Sequence, residues 1–155
     1  MECGVAAKRD LKKGRTSPAV ERLIECNILL SGVGFESGGL ALAHAIANGL
    51  TILPECKAMH GEAVAFGLVV QLRLERAPEL DQVLEFCQRV GLPTTLAELG
   101  LGEISDTDLM SVADAVFRNE RNMANEQASD QTKARAAHVR GIAWHLIDLV
   151  QSRRR

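Results

Sequence analysis

The sequence predicts an all-α protein, a bundle of about six helices, and three observations support this prediction. Hydrophobic residues make up 46% of the 155 residues and aromatic residues 3%; such an aliphatic core favours helices over a sandwich or a barrel. Apolar residues recur at helical spacing along most of the chain. No segment shows the alternation of a half-buried strand. We therefore expect helices packed on helices around one core.

The start of the chain has no usable periodicity, and charged residues and glycines dominate it. We predict an irregular basic arm over residues 1–16, a single helical domain over residues 17–152 and a basic tail over residues 153–155. The net charge is −2, and no aromatic side chains accompany the basic ends for stacking on bases. We interpret these ends as solvated and expect no nucleic-acid partner.

The first two predicted helices flank a glycine-rich segment. Ser17 and Pro18 form a helix start, because serine caps the helix and proline fits its first turn. This helix is predicted to end at Gly32, and the four glycines between residues 32 and 39 are predicted to form a turn. Ser37 is the expected cap of the next helix, over residues 38–50.

The third and fourth predicted helices run from residue 60 to 77 and from residue 79 to 90, separated by Pro78. The apolar stripe of the third helix is assigned to Val64, Ala65, Leu68, Val69 and Leu72. The fourth is amphipathic, with Val83, Leu84, Cys87 and Val90 on one face. A short helical turn is predicted over residues 95–99.

The final predicted helices begin at Ser105 and Asp130. Ser105 and Asp108 resemble a capping box, and Leu109, Val112, Ala113, Val116 and Phe117 follow at helical spacing. A polar loop is expected over residues 119–128. The last helix carries Ile142 and Leu146 on its apolar face.

Several classes of protein are excluded or disfavoured. The four cysteines form no C-x-x-C pair, which favours reduced thiols over a disulfide framework or a zinc finger. No stretch of 18 apolar residues and no secretory segment occurs, so we expect a cytoplasmic protein without a membrane partner.

The glycines at residues 32, 34 and 38 have the look of a dinucleotide fingerprint, but this interpretation is rejected. That fingerprint requires a strand before the turn, so that a helix N-terminus faces the pyrophosphate. The predicted element before the turn is a helix.

His44 and His60 are the candidate metal ligands, since a loop that folds back between neighbouring helices brings both imidazoles to one point. The alternative is a core histidine and a capping histidine. A catalytic metal also needs a third protein ligand and an open position. Glu36 and Glu62 are close in sequence, but spacing selects neither.

Two stretches resemble the glycerol dehydrogenase branch of the iron/zinc-containing alcohol dehydrogenase family. They are GFESGGLALAHA at residues 34–45 and HGEAVAFG at residues 60–67. The resemblance covers residues 17–150 and implies the C-terminal all-α, metal-binding domain of such enzymes, a dehydroquinate synthase-like fold. It implies that His44 and His60 bind zinc or iron and that Phe35 lines the substrate pocket, with no catalytic residue independent of the metal.

The implied reaction is the NAD-dependent oxidation of glycerol, or a similar small polyol, to a ketone such as dihydroxyacetone. By the resemblance, NAD binds to an N-terminal domain that this chain lacks, and the third metal ligand, an aspartate, lies there too. We therefore expect the isolated chain to be inactive without a partner that binds NAD, and to form a homo-oligomer. The alternative function is a non-enzymatic helical interaction or oligomerisation module derived from that domain.

Overall fold

The described part of the computed structural model, residues 1–38 and 42–123, folds into six α-helices and a short 3-10 helix. Nothing is described of residues 39–41 and 124–155, nor of the side chains of residues 2, 34–38 and 117–123. The helices are α1 (Glu2–Leu11), α2 (Pro18–Gly38), α3 (Leu42–Leu50), α4 (His60–Glu75), α5 (Leu80–Val90) and α6 (Asp106–Met123); the 3-10 helix spans Ala97–Leu99. No strand occurs within the described ranges, and the all-α prediction is confirmed.

The main core surrounds α3, which packs against α4 on one side and α6 on the other. The 3-10 helix and the segment after it add further leucines to this core. Its largest fully buried side chains include Ile46, Leu50, Phe66, Leu96, Leu109 and Val116. The burial of α6 follows the predicted face, because Leu109, Val112, Ala113 and Val116 are all buried.

A smaller cluster joins α4 to α5 through Val69, Val83 and Cys87. The amphipathic face predicted for α5 is therefore confirmed. The helix ends at Gly91, whose φ of 67° is left-handed and disfavours residues with a side chain.

The structure differs from the sequence prediction at residues 1–16, where Glu2–Leu11 forms a helix instead of an irregular arm. The helix packs against α2 and α5, with Ala7 fully buried. Short helices gain most of their stability from such packing, which the many charged residues of this segment obscure in the sequence. The proposed domain boundary at residue 16 stays a prediction.

A second difference concerns the predicted end of the helix at Gly32. Helix α2 continues through Gly32 and Gly34 to Gly38, and none of these glycines has a positive φ. Glycine costs only about 1 kcal/mol inside a helix, and no proline interrupts this segment. The predicted turn over residues 32–39 is therefore wrong as far as residue 38, and α3 is described only from Leu42.

The buried face of α4 also differs from the predicted stripe. Ala63, Phe66, Gly67, Val69 and Val70 are buried, whereas Leu68 is 38% exposed. Apolar residues occur on all sides of this helix, so its sequence periodicity does not single out one face.

The cap predicted at Ser105 is confirmed, because its hydroxyl accepts a hydrogen bond from the Asp108 N–H at 3.1 Å. Helix α6 then continues to Met123, so the loop predicted from residue 119 is wrong over its first residues. The helix predicted from Asp130 lies outside the described residues.

None of the described helices combines the length and apolar character that a membrane span requires.

Candidate functional site

Helix α4 lies very close to the start of α3 at Gly67. A Cβ atom placed on Gly67 would lie 2.3 Å from the carbonyl oxygen of Ala43 and 3.0 Å from its carbonyl carbon. Real side chains do not tolerate such a separation, so only glycine fits here. Gly67 therefore sets the spacing between the two helices that carry the candidate histidines.

Gln71 fixes the same crossing by a hydrogen bond. Its side-chain oxygen accepts from the Ala43 N–H at 3.0 Å, satisfying a donor in the first turn of α3. The carboxamide nitrogen of Gln71 donates to the Glu75 carboxylate at 2.9 Å. Because Ala43 precedes His44 directly, Gln71 and Gly67 together hold the backbone that positions this histidine.

The structure brings His44 and His60 together. Their ring centroids are 5.8 Å apart, and the ring planes are tilted by 51°. His44 is half-buried near the start of α3, and His60 is exposed at the first position of α4. The pair therefore forms a site that is anchored on one side and open to solvent on the other.

This separation fits two ligands of one metal ion. A zinc-bound imidazole nitrogen lies about 2 Å from the metal, so the centroids of two rings in a tetrahedral site are about 5 to 6 Å apart. Among the side chains that the structure describes, however, no group of three histidine, cysteine or acidic residues is placed to hold a metal. The described side chains thus place two candidate ligands side by side without a third.

Three side chains near the histidine pair in sequence could bind a metal: Glu36, Glu62 and Cys56. One oxygen of Glu62 accepts a hydrogen bond from the Met59 N–H at 2.9 Å, which caps α4. Cys56 is half-buried against the main core. The side chains of Glu36 and of Phe35, the predicted substrate-pocket residue, lie outside the described part; their backbone belongs to α2.

Sequence reasoning missed Gly67 and Gln71. The one signal for Gly67 was its position inside an otherwise good helix, where glycine is costly and an interior glycine often marks a close approach. Nothing in the sequence distinguishes Gln71 from a solvated glutamine, because its role depends on a partner 28 positions away.

Comparison with characterised proteins gives a consistent set of relatives. The chain is 50% identical to the glycerol dehydrogenase of Thermotoga maritima over 129 residues, which is 81% of this chain and 35% of the relative. It is 52% identical to the glycerol dehydrogenase of Citrobacter freundii over 115 residues, 72% of this chain and 32% of the relative. No protein-family model matches.

A comparison with solved structures also finds glycerol dehydrogenases. The crystal structure of a probable glycerol dehydrogenase from Sinorhizobium meliloti matches with a TM-score of 0.78 and 36% identity, over 97% of this chain and 41% of that one. Because the match covers 97% of this chain, it includes at least part of residues 1–16. The chain spans about a third of the length of the curated relatives.

Proposed function

This chain is a homologue of the helical domain of glycerol dehydrogenases, and on that premise we propose that it is the metal- and substrate-binding part of a polyol dehydrogenase. The single observation that supports this most is the His44–His60 pair, with ring centroids 5.8 Å apart. The substrate in this proposal is glycerol or a similar small polyol, and Phe35 lines its pocket.

In this proposal the two imidazoles hold zinc or iron through their neutral ring nitrogens. A divalent metal, when bound, supplies Lewis acidity toward an alcohol oxygen. Two helices of this chain position the two imidazoles. Helix α3 holds the half-buried His44, and the cap at Met59 fixes the start of α4 and hence His60. The remaining ligand, the nicotinamide cofactor and its binding domain come from outside the described residues.

The metal proposal predicts that zinc binding depends on both histidines. In a calorimetric titration of chelator-stripped protein, His44→Ala and His60→Ala each lower zinc affinity by at least about tenfold, because even the outer-shell partners of a metal site contribute that much. Cys26→Ala is the control, because this exposed thiol on α2 is a metal-binding residue type with no proposed role, and it leaves the affinity unchanged. Equal, weak binding by all four proteins would remove the metal site from the proposal.

A second candidate function, a helical oligomerisation module, is favoured by the exposure of α2. Five large apolar residues of this helix are more than half exposed: Ile24, Ile28, Leu29, Leu30 and Val33. We call this stretch the α2 apolar segment. Exposed apolar surface on this scale commonly marks a protein–protein contact, and a second copy of this chain is the occupant in this proposal.

The oligomer proposal is tested by sedimentation at several protein concentrations. Ile28, which is 73% exposed, is changed to Gln, and the self-association constant is expected to fall by about tenfold, because an apolar contact is lost and a polar group is buried. Leu11→Gln is the control, since Leu11 is 55% exposed on α1. A wild-type chain that stays monomeric at all concentrations contradicts this candidate.

A further inference from the structure

A groove between α1 and the end of α5 gathers five cationic side chains. The groove has a volume of about 450 Å³, and Lys8, Arg9, Lys12, Lys13 and Arg89 line it together with apolar and neutral residues. No carboxylate occurs among the described residues that line it. We call it the basic groove. It lies on α1 and α5, whereas the histidine pair lies on α3 and α4.

The nearby acidic groups neutralise only part of this positive charge. Asp10 lies 3.6 Å from Arg9 and 3.1 Å from Arg15, and Glu85 lies 3.7 Å from Arg89. Lys12 and Lys13 have no ion pair within the described part of the chain.

Helix dipoles offset only part of the remaining positive charge. The C-termini of α1 and α5 each present about half a negative charge, and the Lys8 ammonium donates to the carbonyl oxygen of Val90 at the end of α5. After the two carboxylates and the two helix ends are counted, about two positive charges remain. That excess matches one phosphomonoester group, which carries between about −1.5 and −2 at neutral pH.

A second cavity adjoins the basic groove and shares Val5 and Arg89 with it. Its volume is about 290 Å³, and Met1 and the ring of Phe86 add apolar surface to its lining, next to Gln82 and Glu85. Phe86 is held close to α1 because Gly4 has no side chain: a Cβ there would lie 3.0 Å from the ring. An apolar wall therefore continues from the cationic one.

We propose that the basic groove and this adjoining cavity together bind a small phosphorylated molecule that carries an apolar or aromatic group. The phosphate lies among Lys12, Lys13 and Arg89, where charge-assisted hydrogen bonds favour it. The apolar group lies against Val5 and Phe86.

Phenyl phosphate is the probe that tests both halves of the site at once, with inorganic phosphate and phenol as its separate parts. All three are titrated into the full 155-residue chain at physiological ionic strength. We expect phenyl phosphate to bind at least about fivefold more tightly than inorganic phosphate, because a ring packed on Phe86 adds apolar contact. Equal affinities, or no saturable binding of phenyl phosphate, would overturn the proposal.

Two variants assign the binding to this site. Lys12→Gln combined with Lys13→Gln is expected to lower the affinity for both phosphates by about tenfold. Phe86→Leu is expected to remove the preference for phenyl phosphate and to leave phosphate binding unchanged. Both lysines are exposed, and a circular dichroism melt verifies folding.

The matched control is Lys57→Gln combined with Arg73→Gln, which removes the same charge from a part of the surface outside both cavities. It is expected to bind like the wild type. A loss equal to that of the Lys12/Lys13 variant would show diffuse charge attraction and refute a site at the basic groove.

Discussion

Replacing Gly67 by alanine is expected to destabilise the protein by about 2 kcal/mol and to weaken zinc binding, although no proposed ligand is changed. The new methyl group would meet the Ala43 carbonyl at 2.3 Å, so α3 and α4 must move apart. Overpacking of this kind costs about 3 kcal/mol, and the higher helix propensity of alanine returns up to about 1 kcal/mol. Chemical denaturation and the zinc titration measure the two effects.

Gly61→Ala is the control for this prediction. Gly61 belongs to the same helix and is adjacent to His60, but a Cβ there meets nothing within 4 Å. Its stability is expected to be unchanged or slightly increased. If both glycine variants behaved alike, Gly67 would not set the spacing between α3 and α4.

Replacing Phe66 by alanine is expected to cost about 3 to 5 kcal/mol, because Phe66 is fully buried in the main core and its removal leaves a cavity. For a chain of this size, that loss lowers the melting temperature by about 10 °C. Thermal unfolding followed by circular dichroism measures it.

Leu68→Ala is the matched control, two positions further along the same helix. Leu68 is 38% exposed, so its truncation is expected to cost about 1 kcal/mol. A larger loss for Leu68 than for Phe66 would mean that the originally predicted stripe of α4, and not the observed face, points into the core.

The site was partly predictable from the sequence. The type of residue and the short connection singled out His44 and His60, and the structure places their rings side by side. The support of the pair was not predictable, because Gly67 and Gln71 act on Ala43 across 24 and 28 positions, and a single sequence contains no distances between remote residues.

The basic groove illustrates the same limit. The sequence shows Lys12 and Lys13 as part of a charged end, for which solvation is the ordinary interpretation. Only the packing of α1 against α5 brings Arg89 beside them and Phe86 into the adjoining cavity. A segment that the sequence presents as solvated therefore lines a groove in the folded chain.

The sequence by itself determined the helical class, the starts of α2 and α6, and the buried faces of α5 and α6, because Pro18, the cap at Ser105 and a strongly amphipathic period act within a few residues. Tertiary structure decided that residues 2–11 form a helix and that Phe66 faces the core, because local preference was weak there and burial against remote helices outweighed it. The continuation of α2 through its glycines needs no such packing, since glycine costs a helix only about 1 kcal/mol.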